Sequence, residues 1–168
     1  MKKLSFLSTM LFVFMYLLSC EPPVSQAEKD YLLLRAQADS LAMTHQSIAA
    51  EHEQLMEKWN AVMQQMDELP NPDSVMLQNA QQQYMLLSSH EQSLRQHEQV
   101  RAMWQEFDDK YTAGGVSEAD IQAQVGKMTN EIQMMREEHQ KLSSDHVNIE
   151  SVFVEISGML TKAKGADS

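Results

Sequence analysis

Cysteine occurs once in these 168 residues, so no disulfide can close within the chain. Glycine and proline are nearly as scarce, at five and four. Gln, Glu, Met, Leu and Ala abound instead, which is a helical composition. Basic residues are few, 13 against 24 acidic ones, for a formal charge of −11. That deficit argues against nucleic acid as a partner. It also argues against adhesion of the protein surface to anionic lipid headgroups. An excess of negative charge can attract cations, although a solvated acidic surface is the plainer reading. The chain has no nucleophile–base motif, no glycine-rich phosphate loop and no haem-attachment cysteine motif, so the expectation is a protein that is not an enzyme.

The amino terminus reads MKKLSFLSTMLFVFMYLLSC. Lys2 and Lys3 are followed by an apolar stretch from Leu4 to Leu18, broken only by Ser5, Ser8 and Thr9. Its length suits the core of an export signal better than a spanning helix, which needs about 20 apolar residues. The segment ends Leu17-Leu18-Ser19-Cys20 and resembles the lipobox of bacterial lipoproteins: an aliphatic residue three before the Cys and a small one just before it. The resemblance covers residues 1–20 alone. It implies that residues 1–19 are a cleaved signal peptide and that Cys20 carries a covalent thioether-linked lipid. It also implies acylation of the new amino terminus. The protein would then be held at a bacterial envelope membrane, inner or outer, through its acyl chains. Without Lys2 and Lys3 the remainder has 11 basic and 24 acidic residues and a formal charge of −13.

Beyond the signal, residues 20–26 read as the lipidated Cys and a short tether, and 164–168 as a frayed tail. Between them the spacing predicts one all-α domain: an elongated antiparallel three-helix bundle with coiled-coil heptad packing. The helices are expected over about 27–69, 73–111 and 117–163. Leu69-Pro70-Asn71-Pro72 stops the first, since proline disfavours helix in the residue before it. Asp73 or Ser74 can cap the second, and Thr112-Ala113-Gly114-Gly115 breaks the chain again. Ser117 with Asp120 resembles a capping box. Both breaks are short, so successive helices should fold back on one another.

Apolar positions in the first helix recur at Tyr31, Leu34, Ala38, Leu41, His45, Ile48, His52, Leu55, Trp59, Val62, Met66 and Leu69. Those in the third run from Ile121 through Val125, Met128, Ile132, Met135, His139, Leu142, His146, Ile149, Phe153, Ile156 and Leu160 to Ala163. Both alternate steps of three and four, the period of a coiled-coil seam. The second helix is less regular. Its strict seam takes Gln83, Leu86, His90, Ser93, His97, Val100, Trp104, Phe107 and Tyr111, with Leu87 and Leu94 beside it, so phase drift is expected there. Met43, Met56 and Met63 widen the stripe on the first helix, as core filler or as a face for a partner.

All six histidines fall on these seams, in three pairs each seven residues apart: His45 and His52, His90 and His97, His139 and His146. Each pair is followed by an aliphatic and an aromatic residue at fixed spacing: Leu55 and Trp59, Val100 and Trp104, Ile149 and Phe153. The chain thus carries an internal repeat with one histidine pair per helix. If the middle helix runs backwards, His45 meets His97 and His139 at one level, and His52 meets His90 and His146 at the next. Three converging imidazoles can ligate Zn, Cu, Ni or Co. Glu51, Glu138 and Asp145 each precede a seam histidine and can accept its neighbour's second ring N–H. Two layers seven residues apart stand about 10 Å apart, too far to share ions as a dinuclear centre does.

Two functions follow as expectations. The first is a lipid-anchored helical-bundle protein of the cell envelope that binds a transition metal through two stacked three-His layers, for buffering, sensing or delivery. The second is a structural or adaptor lipoprotein that contacts other envelope proteins. There the buried imidazoles set helix register or respond to pH and hold no metal.

Overall fold

A computed structural model of the protein describes residues 24–166, with side chains to 163. The expected signal peptide and Cys20 lie outside the described residues. Three long helices make up the fold: α1 (Gln26–Asp67), α2 (Ser74–Thr112) and α3 (Glu118–Ala166). There is no strand among the described residues. At 1.5 Å per residue each helix is about 60 Å or more in length. No helix of the described residues is long and apolar enough to cross a membrane.

Local chemistry sets where each helix begins. Ser25 caps α1 in a reciprocal box: the Glu28 amide donates to Ser25 Oγ at 3.2 Å, and the Ser25 amide donates to Glu28 Oε2 at 2.9 Å. The helix therefore starts at Gln26, inside the stretch that the sequence assigns to the tether. Asp73 Oδ1 accepts from the Val75 and Met76 amides at 2.9 Å each and opens α2. Ser117 and Asp120 cap α3 in the same reciprocal manner, with both amide bonds at 3.2 Å. At the end of α2, Gly114 adopts φ +72°, a conformation open to glycine at little cost. It lets the Gly114 and Gly115 amides turn back onto Tyr111 O and Lys110 O. The third helix continues to Ala166, through residues 164–166 that the sequence gives to a frayed tail.

All three helices pack on one another, and the α1–α3 interface is the most extensive. Ring contacts give the sense of the pairing. Tyr31 meets Phe107 and Tyr111, His45 meets His97, and His52 meets His90, so residue numbers rise along α1 as they fall along α2. Against α3 they rise together, with His45 beside His139 and His52 beside His146. Trp104 is buried in one apolar cluster with Tyr31, Leu41, Ile132 and Met135, and half-buried Ala38 packs on it. The other large cluster is built on Trp59, Val62, Met66, Leu87, Ile149 and Ile156.

The seam of α2 departs from its strict expectation. Leu87 and Leu94 are buried, whereas Leu86 and Ser93 are only partly so. Towards the other end Val100 and Phe107 are the half-buried apolar residues, and Arg101 and Asp108 hold the competing positions. The seam therefore shifts by one residue along the helix, following whichever column carries the apolar side chain.

Candidate metal centre

The histidines converge from different helices because each sits at a seam position of its own helix. His45, His97 and His139 form one group, and His52, His90 and His146 the other; all six are at most 5% exposed. Within each group a ligand nitrogen from every ring lies within 4.8 Å of the other two. Ring centroids in the first group are 4.8–5.6 Å apart. In the second they are 5.4–6.3 Å apart. A tetrahedral ion with nitrogens at 2.0–2.1 Å needs those nitrogens about 3.4 Å from one another. His45 Nδ1 and His139 Nε2 are already 3.3 Å apart. The remaining pairs lie within 4.8 Å.

Acids stand around both groups in a cyclic order. In the first layer Glu98 of α2 lies 2.9 Å from His45 Nε2 of α1, and Glu138 of α3 bonds His97 Nε2 of α2. In the second, Asp145 of α3 lies 3.1 Å from His90 Nε2 of α2, and Glu51 of α1 lies 3.8 Å from His146 Nδ1 of α3. The charge of Glu91 on α2 acts on His52 of α1. Each imidazole thus faces an acid from the next helix, except His139. The position that would serve it, just before His45, is Thr44.

The sequence identifies Glu51, Glu138 and Asp145 but misses Glu98 and Glu91. The signal was present. On α1 and α3 the acid precedes the histidine; α2 runs the other way, so the same side of the seam is reached one residue after it, as His90-Glu91 and His97-Glu98.

Burial dominates the electrostatics. Loss of water lowers the proton affinity of His45, His52, His90 and His146 below the ordinary imidazole value, against the pull of neighbouring carboxylates. Burial first, and then the neighbouring charges of His97, His45 and Arg101, push His139 down to about 4. Neutral rings offer lone pairs, the form a metal requires. His90 Nδ1, His97 Nδ1, His139 Nδ1 and both nitrogens of His52 and His146 are buried without a hydrogen-bond partner. Buried polar atoms in that state cost stability unless something satisfies them. Carboxylates on Nε2 of His90 and His97 leave Nδ1 of each ring for a ligand. The donor set therefore fits a nitrogen-liking transition metal.

No protein-family model matches the chain, and comparison with curated proteins and with solved structures finds no similar protein.

Proposed function

We propose that the protein binds one transition-metal ion at each of its two three-His layers and serves in metal buffering, sensing or delivery at a bacterial envelope membrane. The observation that carries this reading is the pair of buried triads, each with its ligand nitrogens within 4.8 Å of one another. Orphaned imidazole nitrogens and the acids on the opposite ring nitrogens support it. In this reading the helices form an elongated antiparallel coiled coil, and Cys20 bears the lipid that holds the rod to the membrane. Chemistry on a substrate is not assigned to the layers, since both lie inside a packed seam.

Metal analysis of protein purified without a histidine tag tests the reading, together with thermal melts in added Zn, Cu, Ni or Co. A ligand that binds only the folded state at about 100 times its Kd adds about 2.7 kcal/mol of stability. The expected results are two ions per chain and a higher melting temperature. A melt that no such metal moves at neutral pH returns the layers to a purely structural role. That second reading has its own observation: the bond between His45 and His139 and the carboxylates on His45, His90 and His97 satisfy part of the imidazole set without any ion. For the anchor, Cys20→Ala should abolish fatty-acid labelling and membrane partitioning; retention of both would remove the lipoprotein reading.

A further inference from the structure

Beside each buried layer a groove opens on the α1–α3 face, and the two grooves differ. One groove of about 290 Å³, lined by Gln37, Ser40, Thr44, Arg136 and Gln140, runs to the His139 ring of the first layer. A second of about 290 Å³, lined by Glu51, Gln54, Lys58 and Glu150, runs to the His146 ring of the second. Each groove contains the α1 residue that precedes its own layer's histidine: Thr44 in one, Glu51 in the other.

Those two residues have different reach. The Glu51 carboxylate is 3.8 Å from His146 Nδ1 and 53% exposed, close to the layer and unconfined by packing. Thr44 is shorter, and its hydroxyl donates to the Ser40 carbonyl of its own helix at 3.4 Å. The charges differ as well. The second groove carries two carboxylates, with Glu150 holding Lys58 at 2.7 Å. The residues lining the first include no carboxylate; their one full charge is Arg136, whose Nη2 donates to Gln37 Oε1 at 3.4 Å. An anion-friendly opening of this kind is out of keeping with a chain of net charge −11.

We propose that the two layers are different kinds of metal site: the second completes its coordination with Glu51, as three imidazoles and a carboxylate, while the first keeps its fourth position open and takes a small anion from the Arg136 groove. This rests on the reading that each triad holds a metal. Three neutral imidazoles leave a divalent ion its full charge and one open tetrahedral position. In the second layer a carboxylate of the chain can fill it. In the first, Glu98 and Glu138 are already engaged at Nε2 of His45 and His97, and the fourth ligand comes from solvent as a small inorganic anion or carboxylate. Arg136 offers planar paired donors suited to such a group, and Ser40, Gln37 and Gln140 offer neutral ones.

Cobalt(II) reports the difference, because its visible absorption follows its ligands; azide serves as the anion. The whole chain is extracted in detergent, purified without a histidine tag and loaded with cobalt. It should hold two ions, and azide should change the spectrum of half the cobalt. Arg136→Gln should weaken azide binding about threefold to tenfold, the range for a charge-assisted contact at a partly exposed site. Thr44→Glu should abolish the azide response while both ions stay bound, and Glu51→Thr should make the second ion respond. Both substitutions fall at exposed helix positions, and circular dichroism checks that the helices persist. Azide acting on both ions or on neither in the native chain overturns the proposal, as does a response that survives Thr44→Glu. A native chain that binds no cobalt overturns the metal reading itself.

Discussion

The middle of the bundle and its two ends are built differently. Between the histidine layers the buried apolar set is Ile48, Leu94 and Leu142, with Ala49 packed against it. Beyond the layers, one end is filled by Tyr31, Leu34, Leu41, Trp104, Met128 and Met135, and the other by Trp59, Val62, Met66, Leu87, Ile149 and Ile156. The ends bury whole aromatic and aliphatic side chains, each worth about 1.5–3 kcal/mol. The middle buries six imidazoles, several with unpaired nitrogens. Stability thus resides in the ends, which can carry a polar belt that would not fold by itself. A thin apolar layer inside the belt separates the two histidine groups.

The largest expected effect lies at an end. Trp59 is fully buried and packs edge-on to Phe153, with ring centroids 6.0 Å apart. Trp59→Ala should cost about 3–5 kcal/mol through the cavity it leaves. In a chain of this size that lowers the melting temperature by roughly 10 °C. The loss should be the same with and without metal, because Trp59 lies two helical turns from His52. If calorimetry shows a loss that disappears once metal is added, ends and middle are not independent and the comparison fails.

Much of this division is legible in the sequence. The seams of α1 and α3 follow from steps of three and four, since a buried stripe on a long helix has no other period, and His45 groups with His97 and His139 by register alone. The α2 seam is harder to read. Its fixed column at His90, His97 and Trp104 can pair with residues three or four further on, and both columns carry apolar side chains. Three-dimensional packing decides for Leu87 and Leu94 over Leu86 and Ser93. Glu98 is missed for a different reason: reversal of the helix moves the acid from before the histidine to after it. The Ser25–Glu28 box is a plain local signal hidden by the two prolines just ahead of it.

A smaller effect belongs to the middle. With metal removed, replacing His45, His97 and His139 together by Leu should raise stability by about 1–3 kcal/mol, because an apolar layer outperforms a half-satisfied polar one. The same variant should lose its share of the metal-induced gain. Acid should sharpen the contrast. The folded-state proton affinity of His139 is lowered to about 4, so the unfolded chain takes its proton first. Its contribution is therefore neutral above about pH 6.5 and turns unfavourable as pH falls towards 4. The lowered values of His45, His52, His90 and His146 act in the same direction. Metal-free native protein should lose melting temperature across that window, and the Leu variant should lose less. Equal losses in both would show that the imidazoles do not govern the acid response.

The smallest expected effect separates the two layers from each other. Asp145 is 22% exposed and holds His90 Nε2 at 3.1 Å, which leaves the buried Nδ1 as the ring's unpartnered nitrogen. Asp145→Asn keeps the size of the side chain and removes its charge. It should weaken metal binding at the second layer about tenfold, the lower end of what loss of an acid on a ligating imidazole costs. The fold itself should barely change, because the residue lies at the edge of the apolar clusters and outside them. The first layer, about 10 Å away along the helices, should bind as before. Stepwise metal titration by calorimetry resolves the two affinities. A tenfold loss confined to one of two steps supports layers that act separately, each tuned by its own acids. An equal loss at both steps would mean that the apolar spacer of Ile48, Leu94 and Leu142 couples the layers instead of insulating them.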